Sequence, residues 1–207
     1  MSFNIICFGD SITGGEEFPE ECRWTTLLQE LLDNVEPGLF QVHNRGISGN
    51  TTAQGLDRFA GDVLPLLPGL VLVQFGFNDA NVPSWSVEPR VSLAEYERNL
   101  VEFHRVITAE QGTCVFIVNH SIGAVTGKQG NGKSFNENFM PYNDSVRKLA
   151  RELNTPSVDL PLLMRRRGIN LDDFLSLDLI HLSLEANDHY AHMIFEVLKS
   201  DAMQSGY

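Results

Sequence analysis

A serine stands where an apolar run breaks off. The run Phe3–Phe8 ends at Gly9, and Asp10, Ser11 and the pair Gly14–Gly15 follow within a few residues. Gly9 permits a sharp turn without a Cβ clash, and a sharp turn exposes the Ser11 hydroxyl at a strand end. Ser11 fits two roles there, a cap for the next helix or a nucleophile. Three further stretches carry polar groups at similar breaks. Asn44–Thr51 reads N-R-G-I-S-G-N-T, a composition whose turn can present backbone N–H groups to an anion. Phe75–Asp79 reads F-G-F-N-D and offers the carboxamide of Asn78, although Asn and Asp are also ordinary turn residues. Leu177–Ser183 reads L-D-L-I-H-L-S, with Asp178 three positions before His181. That spacing lets the acid hold an imidazole in one tautomer and stabilise its charged form, or leaves a solvated acid beside a chance histidine.

Each stretch alone admits an ordinary turn. Together they contain the parts of an acyl transfer. Ser11 is the candidate nucleophile, His181 the base that takes its proton, and Asp178 the residue that orients His181. The N–H groups of Ser11 and Gly49 and the side chain of Asn78 are the candidate oxyanion donors.

These residues act together only if the fold gathers positions 11, 49, 78 and 178–181. Short apolar runs alternate with helical patterns along the chain. Phe3–Phe8, Phe40–His43, Leu70–Phe75, Thr113–Asn119 and Ser157–Leu160 read as strands, the third as a strand buried on both faces. Trp24–Leu32 reads as a helix. Ser92 and Glu95 form a capping box ahead of Leu93, Tyr96, Leu100, Phe103 and Ile107, which repeat at helical spacing. A helix over Tyr142–Leu153 is expected because Pro141 suits a first turn, and Leu184–Lys199 forms the closing helix with Ser183 as its cap. Strand–helix alternation implies a parallel sheet with helices on both faces, in one domain over residues 1–207. Ligands bind beyond the carboxyl ends of such strands, where the candidate residues fall.

The blocks G-D-S-I-T, N-R-G-I-S-G-N-T, G-F-N-D and D-L-I-H follow one another from residue 9 to residue 181. In that order they resemble the four blocks of the SGNH hydrolases, also called the GDSL lipase and acylhydrolase family. The resemblance implies a three-layer α/β/α, flavodoxin-like fold with a five-stranded parallel sheet. It gives Ser11, Gly49, Asn78 and His181 the four named roles and makes Asp178 the third member of a triad. It also implies ester or thioester cleavage without a metal or cofactor. Phe77 departs from a position that is often small or polar, and so bears on the substrate. Asp10 is expected to hydrogen-bond the surrounding turns.

Composition narrows the partners. The chain has 207 residues, 43% of them hydrophobic, and 15 basic against 27 acidic residues give a net charge of −12. Such a charge repels phosphates, so neither nucleic acid nor stable membrane association is expected. Three cysteines, Cys7, Cys22 and Cys114, give no disulfide framework. With no leader-like segment and no apolar run of about 20 residues, a cytoplasmic protein acting on a small-molecule ester is expected. Short acyl groups such as acetyl are favoured, with sugar acetates, lysophospholipids and thioesters as rivals. Glu16, Phe77 and His120 are the candidate substrate contacts, with Glu17 and Trp85 as further pocket candidates.

Two other motifs compete. Gly127–Ser134 matches the phosphate-loop pattern G-x-x-x-x-G-K-[ST], but His120–Thr126 separates it from its strand, whereas a phosphate loop leaves its strand directly. Residues 121–135 read instead as a mobile flap or lid. Asp178, His181, Asp188, His189 and His192 have a metal-like spacing, but two of the histidines fall in the closing helix. A non-catalytic binding module of the same fold is the third alternative.

Overall fold

The computed structural model describes residues 2–125 and 127–205. Five strands form one parallel sheet, in the order β2-β1-β3-β4-β5. They are β1 (Phe3–Gly9), β2 (Phe40–Gly46), β3 (Gly69–Gln74), β4 (Thr113–Val118) and β5 (Ser157–Asp159). Parallel neighbours require crossovers, which the helices supply: α1 (Ser11–Gly14), α2 (Trp24–Val35), α3 (Thr52–Asp62), α4 (Phe77–Ala80), α5 (Leu93–Ala109), α6 (Phe135–Glu152), α7 (Leu160–Arg167), α8 (Leu171–Phe174) and α9 (Leu184–Ser205). Helices cover both sides of the sheet. α2 packs on α9, while α5 packs on α3 and α6. This is the expected three-layer arrangement, with its strand order reversing at β1. Ligand crevices of open α/β sheets open at that reversal.

The sheet is apolar because both its faces are covered. Ile5 to Phe8 and Val71 to Val73 are buried, as are Cys114 to Val118. Phe8 stands at the centre of an aromatic cluster, its ring 5.6 Å from Phe59, 5.3 Å from Phe75 and 5.5 Å from Phe103, each edge-on. Edge-on pairs at this separation set the positive ring edge against the negative face. The cluster fixes β1 immediately before the Ser11 turn and β3 immediately before the Asn78 turn.

Several elements differ from the sequence expectation, α9 among them, which runs on to Ser205 and not to Lys199. α6 begins at Phe135, not Tyr142, and Pro141 lies inside it. The Ser134 hydroxyl accepts from Glu137 N–H while the Glu137 carboxylate accepts from Ser134 N–H, a complete capping box upstream of the proline. Phe139 is then fully buried, its ring stacked 4.4 Å from Phe77. Cap and burial outweigh the roughly 3 kcal/mol that an interior proline costs. Helix α3 follows a second capping box, Thr51 with Gln54, a signal present in the sequence but not read. β2 runs on to Gly46, three residues beyond His43, because its last residues pair with Cys7, Phe8 and Gly9.

Candidate active site

Gly9 ends β1 under tight constraint. A Cβ there would lie 2.5 Å from the backbone oxygen of Gln74 and 2.3 Å from Thr13 Oγ1, so only glycine fits. Asp10 caps the short helix α1, accepting from Ile12 N–H at 3.0 Å. Ser11 is the first residue of α1 and half-buried. Trp24 anchors that turn, its indole N–H donating to Ile12 O at 2.7 Å. The same residue reaches α9, with its backbone N–H on Asn187 Oδ1 at 3.0 Å and its ring 4.8 Å from Tyr190. The turn bearing Ser11 and the helix that follows His181 are therefore bolted to one buried tryptophan.

His181 Nε2 lies 2.8 Å from Ser11 Oγ, and its Nδ1 lies 2.5 Å from Asp178 Oδ2. With the Nδ1 proton on the carboxylate side, Nε2 is left as the acceptor for the serine proton. Asp178 is itself held. Its Oδ1 accepts from Ser176 Oγ at 2.7 Å and from the N–H groups of Ile180 and His181, both at 2.9 Å. Partial burial works to raise the Asp178 pKa, but the hydrogen bonds, led by that from His181, outweigh it and hold the carboxyl well below the usual carboxylate range. Leu179 takes a left-handed φ of 64° to close this turn, a strain of order 1 kcal/mol in a non-glycine residue. Ser176 N–H on His181 O (2.8 Å) and Gly123 N–H on Leu179 O (2.8 Å) hold it closed.

Two clamps hold the other loops beside this one. Arg58 donates to Gly9 O (2.8 Å), Arg45 O (2.9 Å) and Asn50 Oδ1 (2.9 Å), with its guanidinium 4.4 Å from the Phe8 ring centroid. Ile47 N–H adds a bond to Gly9 O at 3.1 Å. The Gly49 loop is thereby fastened two residues from the serine. Gly49 adopts a left-handed φ of 78°. The second clamp is Asp79, whose Oδ1 accepts from Thr52 N–H (2.9 Å) and Thr52 Oγ1 (2.5 Å), tying the Asn78 turn to the start of α3. Among the described residues, the N–H groups of Ser11 and Gly49 and the Nδ2 of Asn78 have no protein acceptor. Each candidate donor is thus free for a ligand.

The expected substrate contacts fare differently. Phe77 and His120 are buried, at 4% and 0% exposure, and pack against neighbouring turns and helices. The Phe77 ring stacks on Phe139 and lies 5.1 Å from the His120 ring. On the short helix α4 the neighbouring residue turns away by about 100°, so Phe77 points into the core while Asn78 stays half-buried. His120 Nε2–H donates to Ile180 O at 2.8 Å, bracing the His181 turn, and burial pushes its pKa down to about 4, so it is neutral. Glu16 is exposed and accepts from Ser48 Oγ at 2.9 Å, beside Gly49.

The stretch expected to be a mobile lid is laced down in part. Gln129 Nε2 donates to Asn81 Oδ1 (2.9 Å) and its Oε1 accepts from Val82 N–H (3.2 Å), while Gly130 N–H reaches Val82 O at 3.3 Å. The residues of the phosphate-loop match pack against residues 81–86 here, although Thr126 lies outside the described residues. His189 and His192 lie on α9, where His192 Nδ1 stands 3.4 Å from Asp188 Oδ2, whereas His181 faces Ser11.

Asp10 was missed as more than a turn residue. It is fully buried, and its Oδ2 has no partner among the described residues. Burial pushes its carboxyl up to about 7. A folded pKa above the unfolded value of about 3.9 means that ionisation opposes folding. Stability is therefore fullest below pH 4, falls as pH rises towards 7, and levels off beyond. Asp10→Asn should gain on wild type by roughly 2 kcal/mol between pH 5 and pH 8, read as melting temperatures of both proteins at the two pH values. A gap that does not widen with pH refutes this placement of the proton.

The sequence and the fold have counterparts elsewhere. The model of the GDSL-like lipase/acylhydrolase family matches residues 7–189. The uncharacterized lipoprotein YqeF of Bacillus subtilis is 30% identical over 178 residues, which cover 75% of this chain and 70% of YqeF. A solved lipase/acylhydrolase of Enterococcus faecalis shares the fold at a TM-score of 0.78 and 24% identity, over 96% of each chain. The acetylxylan esterase Axe2 of Geobacillus stearothermophilus does so at a TM-score of 0.76 and 23% identity, over 95% of this chain and 94% of that one. The chain belongs to the GDSL-like lipase/acylhydrolase family and is a carboxylic ester hydrolase.

Proposed function

We propose that the protein is a serine esterase that removes short acyl groups, such as acetyl, from a small-molecule ester through an acyl-enzyme. The observation that carries this is the unbroken line from Ser11 Oγ to His181 Nε2 at 2.8 Å and from His181 Nδ1 to Asp178 Oδ2 at 2.5 Å. In the first half-reaction Ser11 Oγ bonds to the ester carbonyl carbon as its proton passes to His181 Nε2. The carbonyl electron pair moves onto oxygen, which the Ser11 and Gly49 N–H groups and Asn78 Nδ2 receive. Asp178 stabilises the imidazolium. The oxyanion collapses, the alkoxy group leaves with the proton from His181, and an acyl-serine remains. In the second half, water gives a proton to His181 and attacks the acyl carbon, releasing the acid and restoring Ser11. No step calls for a metal or cofactor.

Short acyl groups, with a sugar as one possible alcohol, are supported by the fold shared with an acetylxylan esterase. The cytoplasmic address belongs to the proposal as well. No helix among the described residues is long and apolar enough to cross a membrane, and the Bacillus relative is named a lipoprotein.

A fluorophosphonate probe should label one residue, Ser11, by peptide mass spectrometry. The same protein should cleave p-nitrophenyl acetate faster than the octanoate or palmitate. Labelling at another residue, or full activity after complete labelling elsewhere, sinks the mechanism. A rate that climbs with chain length sinks the short-acyl assignment alone.

A further inference from the structure

Asn78 can serve an oxyanion with only one end of its carboxamide. The NH₂ end donates to developing negative charge, and the carbonyl end repels it. The two ends have nearly the same shape, so packing alone does not choose between them. Arg90 makes the choice. Its Nη1 donates to Asn78 Oδ1 at 3.3 Å. Guanidinium has donors and no acceptor, so a flipped amide would set NH₂ against N–H and lose the bond. With Oδ1 committed to Arg90, Nδ2 is the end left free, as observed.

Arg90 is held in place from three sides. Its backbone N–H donates to Asn81 O at 3.0 Å, and the next residue's N–H donates to Asp79 O at 3.1 Å. The loop after α4 thus returns along the helix that carries Asn78. Arg90 Nη2 donates to Gln54 Oε1 at 3.3 Å, and that oxygen also accepts from Thr51 N–H at 3.0 Å in the cap of α3. The arginine therefore links the Asn78 turn to the start of α3, just beyond the Gly49 loop. A cation bonded to the amide oxygen also polarises the amide and strengthens its N–H as a donor. In a chain of net charge −12, a fixed positive charge beside a forming anion is not a general property of the surface.

We propose that Arg90 is a positioning residue for the oxyanion hole, which fixes the productive orientation of the Asn78 carboxamide and sharpens its donor. This rests on the assignment of Asn78 as an oxyanion donor.

The test is a double-mutant cycle on p-nitrophenyl acetate with Arg90→Met, Arg90→Lys, Asn78→Ala and the pair Arg90→Met/Asn78→Ala. Arg90→Met should lower kcat about tenfold, part of the loss of about 10²–10³ that removing a whole donor brings, with KM within twofold. Arg90→Lys, which keeps one donor, should recover part of it. In the Asn78→Ala background, Arg90→Met should change kcat less than twofold, because Arg90 acts through Asn78. Arg90 is exposed, and melting temperatures check that the variants fold. An unchanged kcat in Arg90→Met, a rise confined to KM, or an undiminished effect without Asn78 each overturns the proposal. If Asn78→Ala is itself harmless, the donor assignment fails first and takes the proposal with it; a crippled Asn78→Ala beside a normal Arg90→Met overturns the arginine alone.

Discussion

Ser11→Ala is expected to lose roughly 10⁵–10⁶-fold in kcat on p-nitrophenyl acetate while keeping its melting temperature within a few degrees of wild type. The loss is large because the missing oxygen forms the new bond, and His181 then has no proton to take from the protein. The fold is spared for local reasons. Among the described residues Ser11 Oγ has one hydrogen-bond partner, His181, and alanine is a good helix former. The cap of α1 is Asp10, not Ser11. A small residue of catalysis should survive, since the N–H groups of residues 11 and 49 still polarise a carbonyl. Steady-state rates and a melting curve decide the matter together. A variant that keeps a tenth of wild-type turnover, correctly folded, would show that some other group attacks the ester.

Asp178→Asn is the second large effect, about 10⁴-fold in kcat. The substitution hardly alters shape, yet it inverts the proton pattern. Asp178 Oδ2 now accepts the proton of His181 Nδ1. With Oδ1 still accepting from Ile180 N–H and His181 N–H, asparagine turns its NH₂ towards Nδ1. His181 must then carry its proton on Nε2, the nitrogen that should receive the serine proton. The pKa of Asp178 adds a second signature. Because it is depressed in the folded state, the carboxylate stabilises the fold above its unfolded pKa of about 3.9, and that stability is lost as pH falls through the folded value. Asp178→Asn should therefore melt below wild type at pH 7, with the gap closing towards acid. Rates at pH 7 and melting curves from pH 3 to 7 test both parts. Activity within tenfold of wild type contradicts the orienting role, whatever the melting curves do.

How much could be read in advance followed the range of the interactions. Strand ends were legible because a buried parallel strand is a continuous apolar run cut by glycine or a polar residue. Ser11 and Asn78 were legible as candidates because each sits just past such a cut, and His181 because it stands just before the closing helix. Asp178 could be paired with His181 because they are three residues apart. Arg58 could not be found, since its meaning depends on an oxygen at Gly9, 49 residues away. The burial of Phe77 and His120 was not legible in their own segments. One residue's step around α4 separates a buried ring from a half-buried amide, and His120 follows β4 by two residues, buried like Cys114 to Val118 before it. Pro141 misled for the opposite reason. Its local rule is sound, but the cap at Ser134 and the burial of Phe139 are worth more than the rule. Asp79 could be read as a turn residue from its own segment. Its function as a clamp needed Thr52, a partner 27 residues away.

The proposed nucleophile and its proposed base are 170 residues apart in the chain. During synthesis Ser11 is made 170 residues before His181, which follows the last strand of the sheet. At about 5–20 residues per second, the serine waits roughly ten to thirty seconds for its base. If Ser11 and His181 act as proposed, the growing chain cannot turn over an ester through them until both are made and brought together. On the proposed mechanism, the onset of hydrolysis by freshly made protein would time the docking of the turn at 176–181 beside Ser11.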